Sequence, residues 1–92
     1  MATLYKIVDG RRVMKDGGAR SEAIKWKPDG TRESTVSRRP TMGCSMLVGS
    51  VTARSYSNQD YWLTTEVSEI LEDTEDMVRF KTVNGSTYEW VD

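Results

Sequence analysis

Apolar residues along this chain fall in short alternating runs separated by turn signals. The signals are Asp9-Gly10, Asp16-Gly17-Gly18, Pro28-Asp29-Gly30, Gly49-Ser50, Ser57-Asn58-Gln59-Asp60, Glu72–Asp76 and Asn84-Gly85. The runs between them are short and rich in Val, Ile, Thr, Tyr and Trp, which fits a pleated surface better than a helix. The pattern predicts an all-β fold: a small antiparallel barrel, or a strongly bent sheet, of five to six strands with at most one short helical turn. No fixed-period repeat and no low-complexity tract divides the chain, so residues 1–92 read as a single small β domain.

The C-terminal run is the most explicit. In Val78–Val83 the residues Val78, Phe80 and Thr82 share one face, and in Ser86–Trp90 the residues Tyr88 and Trp90 share one. A two-residue Asn84-Gly85 turn would set Phe80 opposite Glu89 and mix the faces. A three-residue loop, Val83-Asn84-Gly85 with Gly85 left-handed, sets Phe80 opposite Tyr88, Val78 opposite Trp90 and Arg79 opposite Glu89 on the wet face. A second hairpin turns at Pro28-Asp29-Gly30, pairs Lys25 with Glu33 and points Ile24 and Trp26 at the core. A third turns at Asp9-Gly10, but its faces sort cleanly in no register. The predicted core is Ile24, Trp26, Val78, Phe80, Tyr88 and Trp90.

One stretch is ambiguous. Leu63, Val67, Ile70 and Leu71 lie at helical spacing, yet Tyr61-Trp62-Leu63-Thr64-Thr65 favours a strand. A strand with a bulge or bend near Glu66–Ser68 is the preferred reading. The residues Leu63-Thr64-Thr65-Glu66-Val67, then Val78-Arg79-Phe80-Lys81-Thr82-Val83-Asn84 and Tyr88, resemble the ends of short bacterial and phage proteins. In those, a Thr-Thr/Ser-x-Val strand leads into a terminal hairpin within a small SH3-like barrel. The resemblance covers about the last third of the chain, with Gly85 where a Ser is usual. It implies strand over helix and brings no activity with it.

Composition adds scale. Below about 100 residues a chain buries only some 60–65% of its unfolded surface, so each of the three Trp, four Tyr and the one Phe matters. The single cysteine, Cys44, has no partner for an internal disulfide, and residues 1–8 lack an apolar signal core; together these predict the cytoplasm. No apolar run approaches the roughly 20 residues that span a bilayer, so no membrane partner is expected.

Charge changes the picture most. Residues 1–54 hold eleven Lys/Arg against five Asp/Glu, and residues 55–92 hold two against nine. Such asymmetry points either to a charged partner or to two halves that pair with each other. The chain has no histidine, the commonest general base and metal ligand. Cys44 between small residues reads as a core filler, and Glu72–Asp76 reads as a solvated acidic turn without calcium-loop spacing. No catalytic residue, cofactor or metal is implied, and the chain reads as a non-enzyme.

Two functional classes remain. The first is a protein-binding module, of the kind a phage or mobile element uses to modulate a host factor, with self-association of acidic half on basic half as a variant. The second is a nucleic-acid-binding small barrel that uses the basic half. For either, the candidate contact residues are Arg11, Arg12, Lys25, Lys27, Arg38, Arg39, Tyr61 and Trp62. Whether Tyr56, Tyr61 and Trp62 lie in the core or at the surface is open from the pattern alone.

Overall fold

A computed structural model of the chain describes residues 2–49 and 61–92. Tyr56 and the Ser57–Asp60 turn signal lie outside the described residues. The rest is all-β, with strands β1 (Ala2–Val8), β2 (Arg11–Gly18), β3 (Arg20–Trp26), β4 (Arg32–Ser37), β5 (Ser45–Gly49), β6 (Tyr61–Asp73), β7 (Met77–Thr82) and β8 (Thr87–Val91). No helix occurs among the described residues. The strands form one antiparallel sheet in the order β2-β1-β8-β7-β6-β5-β3-β4.

Among the described residues, eight strands exceed the five to six expected, and the sheet they form does not close into a barrel. The reason lies in β6. Its first half pairs with β5, from Gly49↔Tyr61 to Ser45↔Glu66. Its second half pairs with β7, from Val67↔Thr82 to Asp73↔Val78. One long strand thus serves two half-sheets, and each half carries its own outer strand, β2 on one and β4 on the other. Register shifts opposite Ser45/Leu47, between Val67 and Glu69, and between Ile70 and Glu72 mark bulges where β6 changes partner and direction. The expected bend near Glu66–Ser68 falls at this change of partner. The bend brings β1 and β2 back towards β5 and β6 across a shared interior.

That interior contains Ala2, Leu4, Ala23, Cys44, Met46, Val48, Val67, Val78, Phe80, Tyr88 and Trp90, with Trp62 and Ile70 packed against it. Phe80 and Tyr88 stack with ring centroids 5.6 Å apart. The register of their hairpin is the expected one: Val78↔Trp90, Arg79↔Glu89 and Phe80↔Tyr88. Gly85 sits at φ 86° and donates to Thr82 O, closing the three-residue loop.

The β3–β4 hairpin departs from expectation after its turn. Gly30 at φ 88° and the bond from Lys27 N to Thr31 O form the expected loop, and Trp26 faces Arg32. A bulge at Glu33 then shifts Lys25 opposite Ser34, although the Lys25 ammonium still reaches Glu33 at 3.6 Å. Ile24 is buried, but outside the main core cluster, and Trp26 is only half-buried. The inner face of β3 belongs instead to Ser21 and Ala23. Ala23 belongs to the core cluster with Trp90, which donates its indole N–H to Ser21 Oγ at 2.9 Å.

Candidate functional site

Three basic residues of the first half, Arg12, Arg38 and Arg39, are engaged with acids of the second half. On one face of the sheet, Arg12 Nε of β2 donates to Glu89 Oε1 of β8 at 2.7 Å. Arg79 Nε of β7 donates to the other Glu89 oxygen at 2.9 Å, and Arg79 also reaches Glu72 of β6 at 3.0 Å. Beneath Arg12 lies the Tyr5 ring of β1, 5.0 Å from the guanidinium. The ion chain therefore crosses the whole half-sheet. Glu89 was expected on the wet face with Arg79; it is instead 5% exposed, covered by the two arginines. Burial by itself would raise the Glu89 carboxyl, but the hydrogen bonds from Arg79 and Arg12 outweigh it and hold the group below the usual carboxylate range.

Arg38 and Arg39 meet the buried Trp90 ring, at 5.4 and 5.1 Å from its centroid. Arg38 grips Asp92 in bidentate fashion at 2.9 and 3.0 Å. Arg39 donates to Asp73 Oδ1 at 2.7 Å and to the carbonyls of Thr74 and Glu75 at 2.6 and 3.0 Å. Ser21 Oγ, which accepts the Trp90 N–H, donates onward to Arg38 O at 2.6 Å. The β4–β5 connection thereby ties down the end of β6 and the residue after β8.

Other cations pair within the first half or cover aromatic rings. Glu22 accepts from Arg20 at 2.6 Å, from Thr35 at 2.9 Å and from Arg32. The Arg20 hydrogen bond, supported by Thr35 and Arg32, overcomes desolvation and lowers the Glu22 carboxyl from its ordinary 4.5 to about 2. Arg20 lies 5.3 Å above the half-buried Tyr61 ring, and Lys15 lies 4.9 Å above Trp62. The Lys15–Trp62 contact joins β2 to β6 across the interior. Cys44 is buried, and loss of solvent pushes its thiol up, away from the reactive thiolate. Among the described residues, no three His, Cys, Asp or Glu side chains converge as metal ligands, and no helix is long and apolar enough to cross a membrane.

Of the eight candidate residues, Arg12, Arg38 and Arg39 are thus held by acids of the second half, Lys25 by Glu33, and Tyr61 and Trp62 lie beneath cations. Arg11 and Lys27 are exposed, and they occupy two separate places. Lys27 borders a shallow open depression with Trp26, Pro28, Gly30 and Glu66. The Trp26 ring is fixed there because its N–H donates to Ser45 Oγ at 2.7 Å. Arg11 begins the outer edge of β2, where Val13 and Met14 are 42% and 63% exposed. Sequence reasoning missed Val13, Met14 and Glu66 as surface features. The consecutive apolar pair Val13-Met14 in an otherwise polar run was the available signal.

Comparison with known protein families, with characterised proteins and with solved structures finds no match to this chain.

Proposed function

We propose that this chain is a non-enzymatic protein-binding module. The observation that carries the reading is the internal use of the charge asymmetry. Arg12, Arg38 and Arg39 are satisfied by Glu89, Asp92 and Asp73, so the basic half offers phosphate few uncommitted guanidinium groups. The described surface also offers features of the protein-contact type: an edge strand with apolar side chains and a half-buried Trp beside Pro28. An accessory role, in which the module binds and modulates a host protein in the cytoplasm, accords with its size and with the phage-protein resemblance of its last third.

The test is affinity capture from a bacterial lysate with and without nuclease, joined to oligonucleotide titration at about 0.15 M salt. Protein retained after nuclease treatment, with no oligonucleotide binding below about 100 μM, is expected. Micromolar oligonucleotide binding at that salt, with a steep salt slope, would overturn the reading and put nucleic acid first.

A further inference from the structure

We infer that the outer edge of β2, along Arg11–Met14, accepts one extended acidic strand of a partner protein. This assignment rests on the protein-binding reading and names its surface and the chemistry of its ligand.

The backbone geometry comes first. Asp9 at φ 51° and Gly10 at φ 76° make a two-residue turn of the primed type, closing on Val8↔Arg11. From that closing pair the ladder alternates, so Arg11 and Val13 direct their N–H and C=O at β1 while Arg12 and Met14 direct theirs away from the sheet. The register is unbroken from Val8↔Arg11 to Tyr5↔Met14, and the one shift lies beyond it, between Leu4 and Tyr5. Among the described residues no strand pairs with this edge.

The opposite edge of the sheet is built differently. In β4, two register shifts fall within six residues, at Ala23/Ile24 and Lys25/Trp26, and bulges of this kind blunt an edge against further pairing. The β2 edge is regular over Arg11–Met14 and carries Val13 and Met14 exposed on its two faces. A regular, partly apolar edge is the form that accepts an added strand.

Charge selects the occupant. Lys6 and Arg11 stand at the regular stretch of the edge, against Asp9 at the tip, while Arg12 is already held by Glu89 and Lys15 lies over Trp62. A second copy docked edge to edge about a twofold axis would bring the same basic residues face to face, which is destabilising for cross-strand neighbours. An acidic strand with alternate apolar residues meets both demands. Arg11, Val13 and Lys6 share one face of the hairpin and Met14 lies on the other. The carboxylates of the added strand therefore lie on the Arg11 and Lys6 face, its apolar side chains lie beside Met14, and its backbone satisfies Arg12 and Met14.

The probe is a capped eight-residue peptide of alternating Glu and Val, with its Lys/Val counterpart as control, followed by amide NMR of the whole chain. The Glu/Val peptide should shift the Arg12 and Met14 amides, slow their exchange with solvent and lose affinity as salt rises; the Lys/Val peptide should not bind. Met14→Pro removes one outward N–H and leaves the pairing to β1, so it should weaken binding at least tenfold while Met14→Ala keeps most of it. Arg11→Glu, which leaves the backbone untouched, should weaken the Glu/Val peptide several-fold. Equal binding of both peptides, no binding, or shifts centred on β4 or Trp26 would overturn the assignment. In parallel capture from lysate, a Met14→Pro chain that holds the same protein as the wild type removes this edge and leaves the module reading standing. A wild-type chain that holds only nuclease-sensitive material removes the module reading itself.

Discussion

The β7–β8 and β1–β2 hairpins sit side by side in one half-sheet, joined through β1 and β8, and they differ in how far their burial extends. In β7–β8, Val78, Phe80, Thr82, Tyr88 and Trp90 are all buried and the register runs without a shift. In β1–β2, only the start of β1 reaches the core, through Ala2 and Leu4, while all four residues of Arg11–Met14 are exposed, with Arg12 reaching across β1 to Glu89. The first hairpin is buried along both strands; the second is anchored through Ala2 and Leu4 of β1, and its outer Arg11–Met14 segment rests on turn chemistry and one ion contact. The first is committed to the core, and the second keeps an edge available.

The difference is broken most forcefully at Phe80. Phe80→Ala should cost about 3–5 kcal/mol and leave a domain of this size largely unfolded, as read by thermal or urea denaturation. A variant that melts with the wild type would place the hairpin's weight elsewhere. Glu89→Gln attacks the link between the two hairpins. It leaves Arg12 and Arg79 without their shared carboxylate, and because both arginines are partly exposed the loss should be about 1–3 kcal/mol, below that of a fully buried pair. Amide exchange should then quicken in β1–β2 while β7–β8 stays protected.

Acid should loosen the opposite half-sheet by a related route. The folded Glu22 carboxyl is depressed from 4.5 to about 2, so its stabilisation is complete above pH 4.5 and is lost as pH falls towards 2. Allowing for solvent around its arginine partners, about 1–2 kcal/mol should disappear over that window. Glu22→Gln should remove most of that dependence in melting curves recorded from pH 5 to 2. At the small end, Met14→Ala should change stability by less than about 0.5 kcal/mol, because its side chain lies largely in solvent. A larger loss would show that the β2 edge is structural rather than available.

The legibility of the sequence follows the same division. Phe80, Tyr88 and Trp90 could be placed on one face because a buried sheet face tolerates no slip, and only one loop length satisfied all of them. The β1–β2 faces could not be sorted because Val8, Val13 and Met14 are apolar yet exposed, so alternation carried no information there. Glu33 and Val36 fall at bulges of an exposed edge, where nothing apolar pins the register, and the β3–β4 pairing was misjudged by one residue beyond its turn. The charge asymmetry was visible, and so was the possibility that the halves pair. Which arginine meets which carboxylate depends on contacts such as Arg12 with Glu89 and Arg38 with Asp92, 77 and 54 residues apart, which no local pattern encodes.

The pairing of β1 with β8, from Thr3↔Val91 to Ile7↔Thr87, also sets the order in which the domain can assemble. β1 must wait for β8 before its inner edge is filled, and closing so long a loop slows folding relative to a chain of local contacts. During synthesis the β1–β2 hairpin can form early by its own turn, but it then presents two open edges instead of one. Those waiting edges are where premature association would begin, and the basic residues clustered around them offer mutual repulsion between nascent copies until β8 arrives.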